Sequence, residues 1–285
     1  MPSFSPTAAP RSPWGSCATR ARRTRLYFEL DEMRDRTALR TRLHAHPDAV
    51  PILRGEFRRT EAVVDTEERL FSFYRAAVTE AEGRELLLLC PAPENEVREL
   101  CGIRHLLRDT ARFSAVLQAL LRASALCRTA AIFPFVTTPQ ELAAVRRHMM
   151  EAMRALLVRG EAFDEGMELG IVVETPAAVM LSRVLAEEVD LLLLNVASLA
   201  RFALAAAPSA DTATLYRDAR LAIDRLVETV IGNAHAVGRR VVLLAHEGMA
   251  AEARVRWLEM GADGVCLSGK HGAGELHEAR RGIHA

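Results

Sequence analysis

The sequence contains no long apolar run and no excess of charge of either sign. No stretch approaches the roughly eighteen apolar residues of a membrane-spanning helix, so a transmembrane segment is not expected. The 37 basic and 37 acidic residues cancel, which argues against a protein that neutralises nucleic-acid phosphates. An arginine cluster at residues 20–25 is a local exception, but Lys270 is the only lysine and arginine is the basic residue throughout. We therefore expect neither a membrane nor a nucleic acid as partner.

Paired cysteines are also missing. The five cysteines form no C-x-x-C pair and have no histidine at metal-ligand spacing; they are Cys17, Cys90, Cys101, Cys127 and Cys266. Scattered thiols are typical of a reducing compartment, so we expect a cytoplasmic protein with free cysteines.

The first 25 residues lack both acidic residues and an apolar segment, a pattern that excludes a secretory signal. We expect a disordered tail rich in Arg, Pro and Ser over residues 1–25. A transit peptide and a start assigned upstream of the true one have the same composition, so both alternatives remain open.

Short apolar runs alternate with segments of helical period along the rest of the chain. Runs that are apolar on both faces are typical of a parallel sheet covered by helices. Strands are predicted at 26–30, 49–53, 86–90, 130–136, 169–174, 190–194 and 240–245, with a weaker eighth around 101–107. Helices are predicted at 67–82, 139–159, 177–188, 211–237 and 250–260. This α/β pattern predicts a single (β/α)₈ TIM barrel over residues 26–285, ending in a short helix after Gly269.

Several helix boundaries carry their own chemical signals. Thr138 and Thr175 each precede a proline, which predicts a hydroxyl N-cap followed by proline at the first helical position. Gly160, Gly238 and Gly261 directly follow the predicted helices 139–159, 211–237 and 250–260. Glycine at these positions is expected to end each helix, because it readily adopts the left-handed conformation.

The segment ETPAA (174–178) follows an apolar strand and opens a helix. Other segments of interest are PILRGEF (51–57), CGIRHLLR (101–108), LQALLRASALCRTAAIFPFVTTPQEL (117–142), RGEAFDEGMELGIVVETP (159–176), EVDLLLLN (188–195) and EMGADGVCLSG (259–269). Together they resemble the phosphoenolpyruvate-utilising enzymes, most closely the C-terminal barrel of phosphoenolpyruvate–protein phosphotransferases, enzyme I of the sugar phosphotransferase system. The resemblance covers about residues 26–269 and implies a barrel of the phosphoenolpyruvate/pyruvate-binding type.

The resemblance implies roles for individual residues. Arg54 and Arg104 match arginines that hold the phosphate and carboxylate of the substrate, and a guanidinium suits this task because it donates two parallel hydrogen bonds to an oxyanion. Glu174 matches one of two carboxylates that hold Mg²⁺ against the substrate, so Mg²⁺ is the implied cofactor. The alternative for Glu174 is a carboxylate favoured by the positive end of the helix that follows it.

The second metal-binding carboxylate of the family has no counterpart. Alignment of residues 188–208 with the family places Ser198 at the metal-binding Asp, Ala197 at the neighbouring Asn and Pro208 at a phosphate-binding Arg. A hydroxyl cannot replace a carboxylate for a hard divalent ion. We therefore expect that Glu174 has lost its partner.

Further replacements fall in the other strands of the aligned barrel. In LAHE (244–247), Ala245 replaces the family's Cys that protonates the enolate of pyruvate, whereas Glu247 is retained and is expected to bind substrate. His246 is a candidate for a substitute acid because an imidazole titrates near neutrality; a packed or exposed loop histidine is the alternative. Ala130 replaces a basic residue, and these 285 residues contain no Gly-Gly-x-Thr-x-His phosphohistidine motif.

Three functions remain open from the residues. The first is a catalytically degenerate member of the family with a regulatory or partner- or ligand-binding role. The second is an active phosphotransferase that works with a separate phosphohistidine domain, and the third is a carbon–carbon lyase on a citrate-lyase-like barrel. The expected ligands are phosphoenolpyruvate, pyruvate or a similar small anion, and the resemblance implies a homodimer or a paralogue partner.

Overall fold

Eight parallel strands close into a barrel in the computed structural model, which describes residues 24–30, 36–46, 48–54, 66–91, 101–245 and 251–267. Each strand pairs with the next, and the eighth returns to pair with the first. The strands are β1 (Arg25–Leu30), β2 (Val50–Arg54), β3 (Leu86–Leu89), β4 (Thr129–Phe133), β5 (Glu168–Val173), β6 (Leu191–Asn195), β7 (Arg240–Ala245) and β8 (Gly264–Leu267). The predicted α/β class and barrel architecture are confirmed.

Helices connect the strands around the outside of the barrel. They are α1 (Arg36–Ala45), α2 (Glu67–Glu80), α3 (Ile103–Arg108), α4 (Thr110–Ser124), α5 (Pro139–Arg159), α6 (Pro176–Met180), α7 (Ser182–Glu187), α8 (Val196–Leu204), α9 (Ala213–Asp218), α10 (Arg220–His235) and α11 (Ala251–Glu259). Within the described ranges, none of these helices is both long and apolar enough to cross a membrane. Residues 1–23 of the expected tail and the expected C-terminal helix lie outside the described residues, whereas Arg25, the last residue of the expected tail, begins β1.

The prediction of the eighth strand is wrong. Residues 103–108 form helix α3, in which Ile103 and Leu106 are fully buried at helical spacing. The eighth strand is instead β8, whose four residues GVCL are all buried. A run this short gives only a weak periodic signal, which explains why the sequence pattern did not identify it.

The predicted helices are confirmed in part. Helix α5 has the predicted bounds, and Thr138 forms a capping box with Glu141 at its start. It ends at Gly160, whose φ of 70° is left-handed. The predicted helix 177–188 is divided into α6 and α7, and the predicted helix 211–237 into α9 and α10. Helices α1, α4 and α8 were not predicted.

The barrel has an inner and an outer apolar layer. Side chains of alternate strand residues fill the interior, among them Tyr27, Ile52, Leu89, Ile132, Val172, Leu193, Leu244 and Cys266. The intervening residues face the helices and form a larger cluster with them. Because strand side chains alternate with a period of two, the residues that follow the inner layer at the carboxyl ends of the strands point toward the barrel axis.

Charged residues close the opposite end of the barrel. At the amino ends of the strands, Arg25 contacts Glu85 at 3.1 Å, while Arg128 and Arg240 contact Glu168 at 2.9 and 2.7 Å. Arg128 and Arg240 also lie 3.9 and 3.7 Å from Glu85. We call these five residues the basal ion cluster; it links strands that are distant in sequence.

Candidate functional site

The carboxyl ends of four strands bring polar residues to the mouth of the barrel. Glu29 and Arg54 come from β1 and β2, Glu174 directly follows β5, and Asn195 ends β6. Glu29, Glu174 and Asn195 are buried, and Arg54 is partly buried. Chemistry in barrels of this kind takes place at this end, so these residues form the candidate site.

Both carboxylate oxygens of Glu174 accept hydrogen bonds from uncharged donors. The backbone N–H of Phe135 donates to Oε2 at 2.9 Å, and the side-chain amide of Asn195 donates to Oε1 at 2.9 Å. Burial raises the pKa of Glu174 to about 7, against these two hydrogen bonds and the charges of Arg54 and Arg201, which lower it. The carboxyl therefore titrates near neutrality.

The conformation of Phe135 aims its N–H at Glu174. Its φ of 58° is unusual for a residue with a side chain, and the neighbouring Gly102 has φ 59°. A Cβ at Gly102 would lie 2.6 Å from the Cβ of Phe135, so only glycine fits at this close approach. This pairing of α3 with the end of β4 was not visible in the sequence.

Asn195 joins strand β6 to helix α8 and to the carboxylate of Glu174. It is the N-cap of α8, and its Oδ1 accepts the backbone N–H of Ser198 at 3.1 Å. Because the oxygen is used in the cap, the NH₂ group must face Glu174. Sequence reasoning missed this residue, although its position at the inward end of an apolar strand was a usable signal.

The two predicted anion-binding arginines are both paired with carboxylates. Nε of Arg54 donates to Glu29 at 2.8 Å, and its Nη2 makes a further short contact with the same oxygen. Nε of Arg104 donates to Glu141 at 2.6 Å. Arg104 also departs from its expected strand environment, because it lies on helix α3.

Arg104 is nevertheless connected to the surroundings of Glu174. Its Nη2 donates to the hydroxyl of Thr137 at 2.9 Å, and that hydroxyl lies 3.3 Å from the hydroxyl of Thr175. Thr175 is the N-cap of α6 and follows Glu174 directly. The predicted residues Arg54, Arg104 and Glu174 therefore share one end of the barrel.

The described residues do not fit the Mg²⁺ that the family implies. Ser198, at the position of the second carboxylate, contributes its N–H to the α8 cap. Each oxygen of Glu174 already faces a hydrogen-bond donor, whereas a hard divalent cation needs free anionic or carbonyl oxygens. No group of three or more His, Cys, Asp or Glu side chains suited to a metal occurs among the residues that the structure describes.

The other predicted site positions have mixed outcomes. His246 and Glu247 lie outside the described residues. Ala245 is the buried last residue of β7, and Ala130 is buried inside the barrel. Pro208 is exposed between α8 and α9.

Arg201 is a further cation at this end that sequence reasoning did not identify. It is partly exposed on α8, its guanidinium lies 5.0 Å from the ring centroid of Phe202, and its charge acts on Glu174. The ring of Phe202 in turn contacts Phe135 edge to face at 6.1 Å. These contacts place one face of α8 beside the carboxylate.

A cleft of about 300 Å³ lies at the other end of the barrel. It is lined by Ser124, Cys127, Arg128, Thr129, Asp164 and Glu168, among others. Arg128 and Glu168 pair with each other within the basal ion cluster. This cleft is remote from the polar residues at the mouth and holds none of the predicted site residues.

Comparison with known proteins identifies the family. A sequence model described as "PEP-utilising enzyme, PEP-binding domain" matches residues 88–272. Phosphoenolpyruvate–protein phosphotransferase of Geobacillus stearothermophilus is 30% identical over 191 residues, which are 62% of this chain and 33% of that protein. The Staphylococcus epidermidis protein of the same name is 29% identical over 234 residues, 77% of this chain and 40% of that protein. The chain thus spans a third to two fifths of the length of these relatives.

Solved structures support the fold. A citrate lyase from Burkholderia xenovorans superimposes with a TM-score of 0.62 at 12% identity, over 91% of this chain and 76% of that one. An HpcH/HpaI aldolase/citrate lyase family protein from Burkholderia cenocepacia gives 0.55 at 16% identity, over 92% and 93%. At such low identity the likeness concerns the barrel alone. The family match, the phosphotransferase relatives and the closed parallel barrel together show that this chain belongs to the phosphoenolpyruvate-utilising enzyme family.

Proposed function

We propose that this barrel is a catalytically degenerate member of its family that binds a small carboxylate or phosphate anion at its mouth without Mg²⁺. Phosphoenolpyruvate, pyruvate and their analogues are the expected ligands, and the role is regulatory or partner-binding. The carrying observation is that Glu174 is held by Phe135 and Asn195 through N–H donors, while Ser198 stands in place of the second carboxylate.

Loss of the metal site argues against phosphoryl transfer. Transfer from phosphoenolpyruvate requires stabilisation of the charge on the moving phosphoryl group, and each missing electrostatic element costs about 3 kcal/mol of barrier. Here a metal carboxylate, an asparagine, a clamp arginine and the family's proton donor are replaced, at Ser198, Ala197, Pro208 and Ala245. The remaining groups are suited to holding an anion.

The protonation state of Glu174 also supports the binding of a small anionic ligand. A carboxyl with a pKa of about 7 is partly protonated at neutral pH, so it can donate a hydrogen bond to a ligand oxygen when protonated. The mouth then offers both guanidinium and carboxylic acid donors to an oxyanion.

Calorimetric titration tests the proposal. Phosphoenolpyruvate, oxalate and pyruvate are titrated into the full chain with Mg²⁺ and again with a chelator. We expect binding of at least one acid with an affinity that is independent of the metal. Affinity that appears only with Mg²⁺ would contradict the proposal.

A second assay addresses catalysis directly. Release of pyruvate from phosphoenolpyruvate is followed with an enzyme I phosphohistidine domain supplied in trans. We expect no release above background. Turnover by the unmodified chain would support the alternative of an active phosphotransferase and would make His246 a candidate acid.

A further inference from the structure

Arg201 differs from the other two arginines at the mouth. Arg54 is neutralised by Glu29 and Arg104 by Glu141. Arg201 forms no ion pair with a carboxylate anywhere in the described part of the chain, and its guanidinium contact is the ring of Phe202 at 5.0 Å. Of these three cations, Arg201 is the one whose charge is not compensated by a direct carboxylate partner.

The position of α8 sets Arg201 beside the candidate site. The helix is capped at its start by Asn195, whose side-chain amide donates a hydrogen bond to Glu174, so its first turn is anchored to the carboxylate. Ser198, Arg201 and Phe202 are spaced three and four residues apart and share one face of the helix. Phe202 on that face contacts Phe135, whose N–H donates to Glu174.

The far side of Arg201 is bounded by helix α9. The hydroxyl of Tyr216 donates to the carbonyl of Ala206 at 2.6 Å and fixes the turn between the two helices. Burial raises the pKa of Tyr216, and the charge of Arg201 opposes that rise. The guanidinium therefore lies within electrostatic reach of both Tyr216 and Glu174.

We propose that Arg201 is the anion-binding residue of this mouth and supplies the positive charge that a divalent cation supplies in a metal-dependent site. The inference rests on the proposed anion-binding function and names the residue responsible. The ligand is a small oxyanion, for which carboxylate and phosphate share the same chemistry. A guanidinium free of a carboxylate partner can donate two parallel hydrogen bonds to either group.

Electrostatics favour Arg201 over Arg54, an arginine that the family resemblance assigned to anion binding. Arg54 and Glu29 compensate each other's charge, so an anion that enters the mouth meets an uncompensated negative charge on Glu174 whenever that carboxyl is ionised. Without a metal ion, an uncompensated cation is needed to offset this repulsion. Arg201 meets that requirement.

The experiment measures binding of oxalate, inorganic phosphate and phosphoenolpyruvate to the full chain by calorimetry in the presence of a chelator. The variants are Arg201→Gln, Arg201→Lys and Arg54→Gln. Arg225→Gln is the matched control, because Arg225 is an exposed arginine of α10 whose ion-pair partner among the described residues is Glu228. Thermal melting checks that each variant is folded.

We expect Arg201→Gln to weaken binding by about tenfold or more, the loss typical of one charge-assisted hydrogen-bonded contact. Arg201→Lys is expected to bind with intermediate affinity, since it keeps the charge but loses the planar fork. Arg225→Gln is expected to bind like the unmodified chain. Weaker binding of oxalate alone would assign the site to carboxylates, and of phosphate alone to phosphates.

Two different results would overturn the assignment of Arg201, and only one of them would also overturn the proposed function. If the unmodified chain binds none of the three anions, the proposed function fails and this inference fails with it. If the unmodified chain binds but Arg201→Gln binds equally well, the inference alone fails, and a loss in Arg54→Gln would return the role to Arg54. Should Arg201→Gln not fold, equal affinity in Arg201→Lys and the unmodified chain would overturn the proposed guanidinium fork.

Discussion

The side-chain amide of Asn195 donates a 2.9 Å hydrogen bond to the buried carboxylate of Glu174. Through this contact the last residue of β6 occupies one oxygen of the carboxylate for which the family resemblance implies a metal-binding role. The same asparagine caps α8. One side chain thus ties together two strands, a helix start and the centre of the mouth.

Asn195→Ala is expected to destabilise the fold. The change removes an N-cap, worth about 1 kcal/mol, and a hydrogen bond to a buried carboxylate, worth about 2 kcal/mol. We expect a loss of about 3 kcal/mol in the free energy of unfolding, measured by urea denaturation. Asn233→Ala, which removes a single amide contact to Ser182, is the control with a smaller expected loss. Equal losses in the two variants would contradict the role of Asn195.

Glu174 is expected to make stability depend on pH. Burial raises its pKa from 4.5 to about 7, so the folded state holds the proton more tightly than the unfolded chain. The stabilisation is complete below pH 4.5 and is lost as the pH rises through 7. Because Glu174→Gln cannot titrate, the stability of the unmodified chain relative to this variant should fall by about 2–3 kcal/mol between pH 5 and pH 8. A constant difference would contradict the raised pKa.

Arg122 is expected to contribute more to the free energy of unfolding than an exposed arginine does. Its guanidinium lies 4.0 Å from the ring centroid of Phe71 and donates to Glu67 and Glu68 while nearly buried. Glu68 is largely exposed and Glu67 stays paired with Arg159, so the cost of removing Arg122 is that of one hydrogen-bonded charge contact, about 2 kcal/mol. Arg122→Ala should therefore lower the free energy of unfolding by about that amount. Arg225→Ala, which breaks an exposed pair worth about 0.5 kcal/mol, is the comparison.

Restoring a metal site should require removal of Asn195. We expect no Mn²⁺ binding by the unmodified chain in electron paramagnetic resonance titrations. A variant is expected to bind Mn²⁺ when Asn195→Gly removes the amide and the family residues are introduced by Ala197→Asn, Ser198→Asp, Pro208→Arg and Ala245→Cys. The same variant with Asn195 retained should bind more weakly, because the amide still occupies Glu174. Binding by the unmodified chain would refute the metal-free description of the mouth.

Self-association is expected through exposed apolar residues around the start of α7. Leu185 faces the core, but Val184 is 46% and Met180 77% exposed, and a two-fold interface buries the same patch on both copies. Light scattering should give a dimer, and Val184→Glu should shift it toward monomer. Val255→Glu, on α11, serves as the control. A monomer at tens of micromolar would contradict this expectation.

Most of the barrel could be predicted because its strands are apolar on both faces. LLLL in β3 and LLLLN in β6 are buried runs that the sequence displays directly. The short β8 and the helix α3 could not be assigned correctly, because a few apolar residues have no resolvable period. Helix α8 was missed because VASLARFAL follows the last residue of β6 directly, with no connecting segment to separate the two periods.

In the candidate site, the sequence predicted only residues that end an apolar strand or match a family motif. Arg54 and Glu174 were placed at the mouth from their positions after apolar runs. The partners of Arg54 and Arg104 depend on tertiary contacts with Glu29 and Glu141, which are 25 and 37 residues away. The left-handed φ of Phe135, which supplies an N–H to Glu174, has no marker in the sequence.

The basal ion cluster stabilises the barrel at the end opposite the mouth. Arg128 and Arg240 lock the amino ends of the strands onto Glu85 and Glu168, far from Glu174 and Asn195. Because these ion pairs stabilise the amino ends of the strands, we expect single substitutions at the mouth to leave the barrel folded. The ion pairs that join the strands and the residues of the mouth therefore lie at opposite ends of the barrel, so that substitutions at the mouth leave the basal ion cluster intact.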